Sequence, residues 1–142
     1  MQKDLILKEI DIVQAEIARY DSNGLAIKNW CIVVWSALSA FGLSESNPVV
    51  ILIAIFITAL FAMVEFSYRL AQANFILRAK EIEDILAADN LDTYKYSVSS
   101  TAYRKIASYT PKAWIGTALN KPQFYLFYLG LIVVGCCQLI FV

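Results

Sequence analysis

The chain of 142 residues contains no histidine. That absence removes imidazole as a general acid or base and as a nitrogen ligand for a metal. Glycine and proline are also scarce, at five and three copies, and no glycine-rich phosphate-cradling loop is present. Cysteine is limited to Cys31, Cys136 and Cys137, all inside apolar runs and none in a CxxC or metal-type spacing. They read as small packing residues in preference to redox or lipidated ones. The apolar stretches lack paired carboxylates, Glu65 being the one acidic residue within them. No catalytic residue, cofactor or metal site is expected, and an enzyme is not the expected class.

Charge is missing in long blocks. All twelve Lys and Arg residues fall in 1–28 or 69–121, and the chain is 59% hydrophobic but only 17% charged. A helix needs about 20 apolar residues to cross the hydrocarbon core. Residues 26–43, 48–66 and 124–142 each approach that length. The runs are continuous, where a β-barrel would alternate apolar and polar residues, so they predict helices. The first 22 residues mix charges with aliphatics and the first apolar run begins late, which suits an uncleaved signal anchor. The positive-inside bias places 1–28 and 69–121 in the cytoplasm and the 44–48 turn across the membrane. The third run then crosses back, leaving Val142 on the far side, periplasmic or extracellular.

The expected fold is therefore an all-α integral membrane protein. Residues 1–22 form a cytoplasmic amphipathic helix and 24–69 a transmembrane hairpin. Residues 70–122 are a cytoplasmic helical and basic-aromatic region, and 123–142 a C-terminal transmembrane helix. In the first segment Ile6, Ile10, Val13, Ile17 and Tyr20 repeat at coiled-coil spacing, with Asp4, Lys8, Glu9, Asp11, Glu16 and Arg19 at other positions. Asp21-Ser-Asn-Gly24 predicts a helix break, with Ser22 or Asn23 capping the next helix. Lys28 suits snorkelling and Trp30 the interface. After the turn 44–48, Pro48 occupies a first helical position, and neither Gly nor Pro follows through residue 89. One helix over 48–88 would be about 60 Å long. Its far half, bearing Phe75, Ile82, Ile85 and Leu86, predicts antiparallel pairing with the N-terminal stripe.

Three groups of residues carry functional candidates. Glu65 precedes Arg69 by one turn, a pair worth about 0.3–0.5 kcal/mol in water. It reads either as part of an ion path or gate, or as an interfacial pair that fixes helix depth. Ala54, Thr58 and Ala62, and on the first span Ser36, Ser39 and Ala40, form small-residue stripes. These suit close helix packing or the lining of an oligomeric pore, since three spans alone enclose no water channel. Ser36, Ser39, Thr58 and Glu65 are thus the pore or gate candidates. Residues 94–114 interleave Tyr94, Tyr96, Tyr103, Tyr109 and Trp114 with Lys95, Arg104, Lys105 and Lys112. That mixture fits either a lipid surface or a nucleotide. Arg78, Lys80, Arg104, Lys105 and Lys112 are the ligand-binding candidates.

Asn23-Gly-Leu-Ala-Ile-Lys-Asn-Trp30 at the entry of the hairpin and Glu65-Phe-Ser-Tyr-Arg69 at its exit resemble the SLATT-like small membrane effectors of bacterial anti-phage systems. The resemblance covers roughly residues 5–88. The third span departs from that two-span pattern and looks more like the Hailong-type effector, an oligonucleotide-gated channel. The resemblance implies a homo-oligomer, such as a tetramer, that depolarises the inner membrane when a partner nucleotidyltransferase makes a nucleotide or oligonucleotide. A ligand-independent holin or toxin and a non-conducting scaffold subunit are the alternative classes. The topology makes a direct prediction: alkaline phosphatase fused after Val142 is active, and a fusion that shows only cytoplasmic fluorescence overturns the third crossing.

Overall fold

The computed structural model describes residues 2–88, 94–96 and 122–141. Among them the chain forms three helices: α1 over Gln2–Ser44, α2 over Pro48–Ala87 and α3 over Pro122–Phe141. All three contain stretches long and apolar enough to cross a membrane. At 1.5 Å per residue α1 and α2 are about 64 and 60 Å long, twice the length a bilayer core requires. The remainder of each is a charged arm that continues the span without interruption.

The helix break expected at 21–24 is not formed. Residues 21–24 lie inside α1, and among the described residues no glycine has a positive φ. The Asp-Ser-Asn-Gly signal loses because tertiary packing outweighs its local propensity. Gly24 is buried against α2, where an added Cβ would stand 3.7 Å from Glu65 Oε1. That is an ordinary van der Waals distance, so the site tolerates a small side chain and the helix carries the glycine.

The hairpin turn is closed as the sequence suggests. Asn47 caps α2 through its side chain, which accepts from the Val49 amide at 3.1 Å, and Pro48 stands at the first helical position. The end of α1 makes the paired bonds of a Schellman motif: the Asn47 amide to Gly42 O at 2.9 Å and the Ser46 amide to Leu43 O at 3.3 Å. Ser46 takes the left-handed position usually given to glycine, with φ 48°. Gly42 lets the two helices meet directly below the turn, since a Cβ there would fall 2.8 Å from Ile51 Cγ1.

The packing of the spans is inverted relative to a soluble bundle. Cys31, Ser39, Gly42, Ala54, Thr58, Glu65 and Gly135 face inward. Trp30, Val33, Phe56, Met63, Leu126 and Val133 face outward. Small and polar residues between helices with large apolar ones outside is the arrangement hydrocarbon favours. α3 joins the hairpin through Phe124 and Tyr128, which pack with Cys31, Phe61, Ala62 and Phe66. Gly135 meets Ile55, and Ser39 on α1 donates to Gln138 Oε1 at 2.6 Å.

In the charged arm α1 and α2 pair antiparallel, as the stripes predict. Ile6, Ile82 and Tyr94 form its buried cluster, with Ile10, Ile85 and Leu86 against it. The seam is more polar than expected, however. Glu9, read as an outer position, is fully buried, and Arg78 and Gln72 are buried with it.

Gly24→Ala separates a continuous α1 from a broken one. In the middle of a helix it adds about 1 kcal/mol of stability, because alanine has the higher helix propensity and its Cβ meets only ordinary contacts. A rise in the thermal midpoint of the detergent-purified protein is expected. A fall would indicate a left-handed cap at this position.

Candidate functional site

Two buried carboxylates organise the polar chemistry of the molecule, each held by an arginine and a tyrosine hydroxyl. The first is Glu65, where all three helices meet at the edge of the apolar runs. Its side chain is 0% exposed. Oε1 accepts from Arg69 Nε at 2.8 Å, Arg69 Nη2 at 2.6 Å and Lys28 Nζ at 3.1 Å. Oε2 accepts from Tyr128 Oη at 2.8 Å. Arg69 comes from the next turn of α2, Lys28 from α1 and Tyr128 from α3, so one carboxylate ties the whole bundle. The Lys28 ammonium also lies 5.9 Å from the centre of the Phe127 ring, and the Arg69 guanidinium 5.8 Å from that of Phe124. Burying Glu65 without these partners would be prohibitive, and with them its lone pairs are occupied.

The second is Glu9, in the charged arm. Arg78 holds it bidentately, Nε to Oε1 at 2.9 Å and Nη2 to Oε2 at 3.3 Å, and the Tyr94 hydroxyl donates to Oε2. Arg78 reaches two further acceptors, Lys95 O at 2.5 Å and Glu81 Oε2 at 3.4 Å. Its guanidinium lies 5.9 Å from the centre of the Tyr94 ring. Burial by itself would lower the Arg78 pKa, but the hydrogen bonds and charges of Glu9 and then Glu81 outweigh it and raise the value. Burial, followed by the Glu9 contact, pushes the Tyr94 phenol well above its ordinary range, so the hydroxyl stays a donor. The clamp fastens the segment 94–96 onto the α1–α2 pair.

The candidate residues divide accordingly. Of the pore or gate candidates, Glu65 and Thr58 face inward, Thr58 donating to Ala54 O at 2.8 Å. Ser39 is bonded to Gln138, while Ser36 is on the outer surface. Of the ligand candidates, Arg78 is committed to the Glu9 clamp and Lys80 is exposed on the arm. Arg104, Lys105 and Lys112 lie outside the described residues. An open groove of about 540 Å³ runs between the helices beside Arg19, Tyr20, Asn23, Ser67 and Tyr68. Tyr20 stacks there edge-on against Tyr68, with ring centroids 5.9 Å apart.

Three participants escaped the sequence reading. Glu9 was masked by its charge, which placed it with the solvated residues. Tyr128 and Gln138 were legible in principle: they are polar groups ten residues apart in an apolar run, and both face the hairpin. Lys28 was placed at the interface, but its partner on α2 has no signature in sequence. No family model, curated protein or solved structure matches the chain.

The Glu9 clamp yields a stability prediction. Arg78→Met leaves Glu9 buried without its cation, the Tyr94 hydroxyl alone remaining, and costs about 3–5 kcal/mol. Glu9→Gln combined with Arg78→Met recovers a large part of that loss. The two thermal midpoints check this, and equal destabilisation by the single and double variants would show that Glu9 does not depend on Arg78.

Proposed function

We propose that the chain is a subunit of a homo-oligomeric membrane pore that a cytoplasmic nucleotide or oligonucleotide opens. In this reading it is an effector of the kind the resemblance to SLATT-like anti-phage proteins implies, and its opening depolarises the inner membrane. The observation that carries the proposal is the continuity of α1 and α2 from arm to span, with a buried charge node where the two regimes meet. A helix without a break transmits displacement of its arm to its membrane half, because every backbone bond along it would resist bending. The Glu9 clamp sets the arm and the Glu65 node sets the span, so movement at one end strains the other.

The described arrangement corresponds to the closed form. Thr58, Ser39 and Glu65 each have a partner within the subunit, and none of those groups is left to replace the water around a passing ion. Opening separates Lys28 on α1 from Glu65 on α2, while the Arg69 pair, which lies within α2, persists. Lys80 on the arm, together with Arg104, Lys105 and Lys112, supplies the cations for the signal's phosphates. Arg78 takes part through the Glu9 clamp: a polyanion that draws Arg78 away releases the segment 94–96 from the hairpin.

Ion efflux from proteoliposomes tests the reading. Nucleotides and short oligonucleotides on the arm side are expected to start efflux, and Glu65→Gln to change the trigger concentration required. Absence of efflux under all such triggers removes the ligand-gated pore, and efflux without any trigger indicates a holin-like perforator.

A further inference from the structure

The Glu65 node is not electrically balanced. Two cations, Lys28 and Arg69, share one carboxylate, and both bond to the same oxygen of it. The fourth member, Tyr128, brings a neutral hydroxyl to the other oxygen. The node therefore carries one positive charge in excess, and among the described residues neither cation has a second acidic partner. In the Glu9 clamp the ratio is different: one cation, Arg78, bonds to two carboxylates, Glu9 and Glu81.

Position decides what the anion is. Lys28 directly precedes the uncharged stretch 29–44, and Arg69 lies four residues beyond Glu65 at the end of the second apolar run. Both belong to the depth at which a bilayer changes from acyl chain to headgroup. Each side chain is 17% exposed while Glu65 is sealed beneath them. The ammonium and guanidinium thus present an outer side to the surroundings while their inner side is bound. Lys28 retains donors beyond its single bond to Glu65, and Arg69 retains those of Nη1. Exposed Trp30 and Tyr68 stand near the same level, where amphipathic rings settle among headgroups. A net positive charge at this depth is costly, and the anion abundant there is the phosphodiester of a phospholipid.

We propose that Lys28 and Arg69 form a binding site for the phosphate of an anionic phospholipid headgroup. The occupying lipid is one with net negative charge, such as phosphatidylglycerol, because a zwitterionic headgroup brings its own cation and leaves the excess in place. The site stands whether or not the protein conducts. It requires only that the helices span a bilayer, and it makes the Glu65 node a four-group assembly completed by lipid.

Native mass spectrometry of the detergent-purified full chain, with phosphatidylglycerol and phosphatidylcholine offered at equal concentration, tests the site. Phosphatidylglycerol is expected to be retained about fivefold better, the preference that one near-surface cation confers. Lys28→Gln balances the node, since Glu65, Arg69 and Tyr128 remain, and abolishes the preference. Lys28→Arg preserves it. Glu65→Gln raises the excess charge to two and strengthens it, which keeps the test decisive if Lys28→Gln fails to fold. Equal retention of the two lipids by the natural chain overturns the proposal, as does a preference that survives Lys28→Gln or that Glu65→Gln does not raise. Thermal midpoints measured with inorganic phosphate at the same phosphate concentration distinguish the source: stabilisation equal to that given by phosphatidylglycerol would assign the cations to a soluble phosphate and remove the lipid.

Discussion

The buried carboxylate of Glu65 is the constraint on which the arrangement of the bundle depends. Apolar contacts between membrane helices are poorly selective, because lipid tails offer the same surroundings as leucine and phenylalanine. A helix can slide by a turn or rotate with little change in apolar contact. A carboxylate that must find all its partners permits no such freedom. Glu65 receives donors from α1, α2 and α3, so depth and rotation of all three helices are specified at one point. Lys28 reaches Glu65 from α1 one turn beyond the buried Gly24, and the aromatic rings of Phe124 and Phe127 cover the cations from the third side.

The Glu9 clamp repeats the same chemical device about 20 Å along α2, counting 13 residues from Glu65 to Arg78. Its surroundings differ. In the arm, apolar burial drives association, and Ile6 and Ile82 would hold the helices together on their own terms. The ionic group there selects register and attaches a third segment, 94–96, whose Tyr94 completes the hydrophobic cluster. One node organises helices that lack a strong reason to choose an orientation, and the other pins a peptide to helices already paired. Burial of an ion pair yields little net stability in either setting, and its effect is to make alternatives expensive.

What the sequence disclosed follows from which signals survive without a partner. Long uncharged runs mark spans by themselves, and the cap at Asn47 with Pro48 is a local matter, so the hairpin and third helix were legible. The arm pairing was legible through its aliphatic repeat. The continuity of α1 was not, because the Asp-Ser-Asn-Gly string is a local stop signal, and the packing of α1 along α2 that outweighs it has no mark in the sequence. Glu9 was hidden for a related reason. A charged residue in an amphipathic pattern reads as solvated unless Arg78, sixty-nine positions away, is known to face it. Of the candidate site, Glu65 with Arg69 was visible as a one-turn pair, whereas the contributions of Lys28 and Tyr128 exist only in three dimensions.

The one-turn spacing of Glu65 and Arg69 has a consequence for biogenesis. A chain enters the bilayer segment by segment, and α2 arrives before α3 has been synthesised. At that stage Tyr128 does not yet exist for Glu65 to bind. Arg69, however, is delivered in the same helix, so the acidic group is compensated from the moment its own turn forms. The local pair acts as a chaperone for the charge during insertion. The Lys28 contact requires the closed hairpin and the Tyr128 contact requires the third helix, so each needs a partner that the Arg69 contact does not.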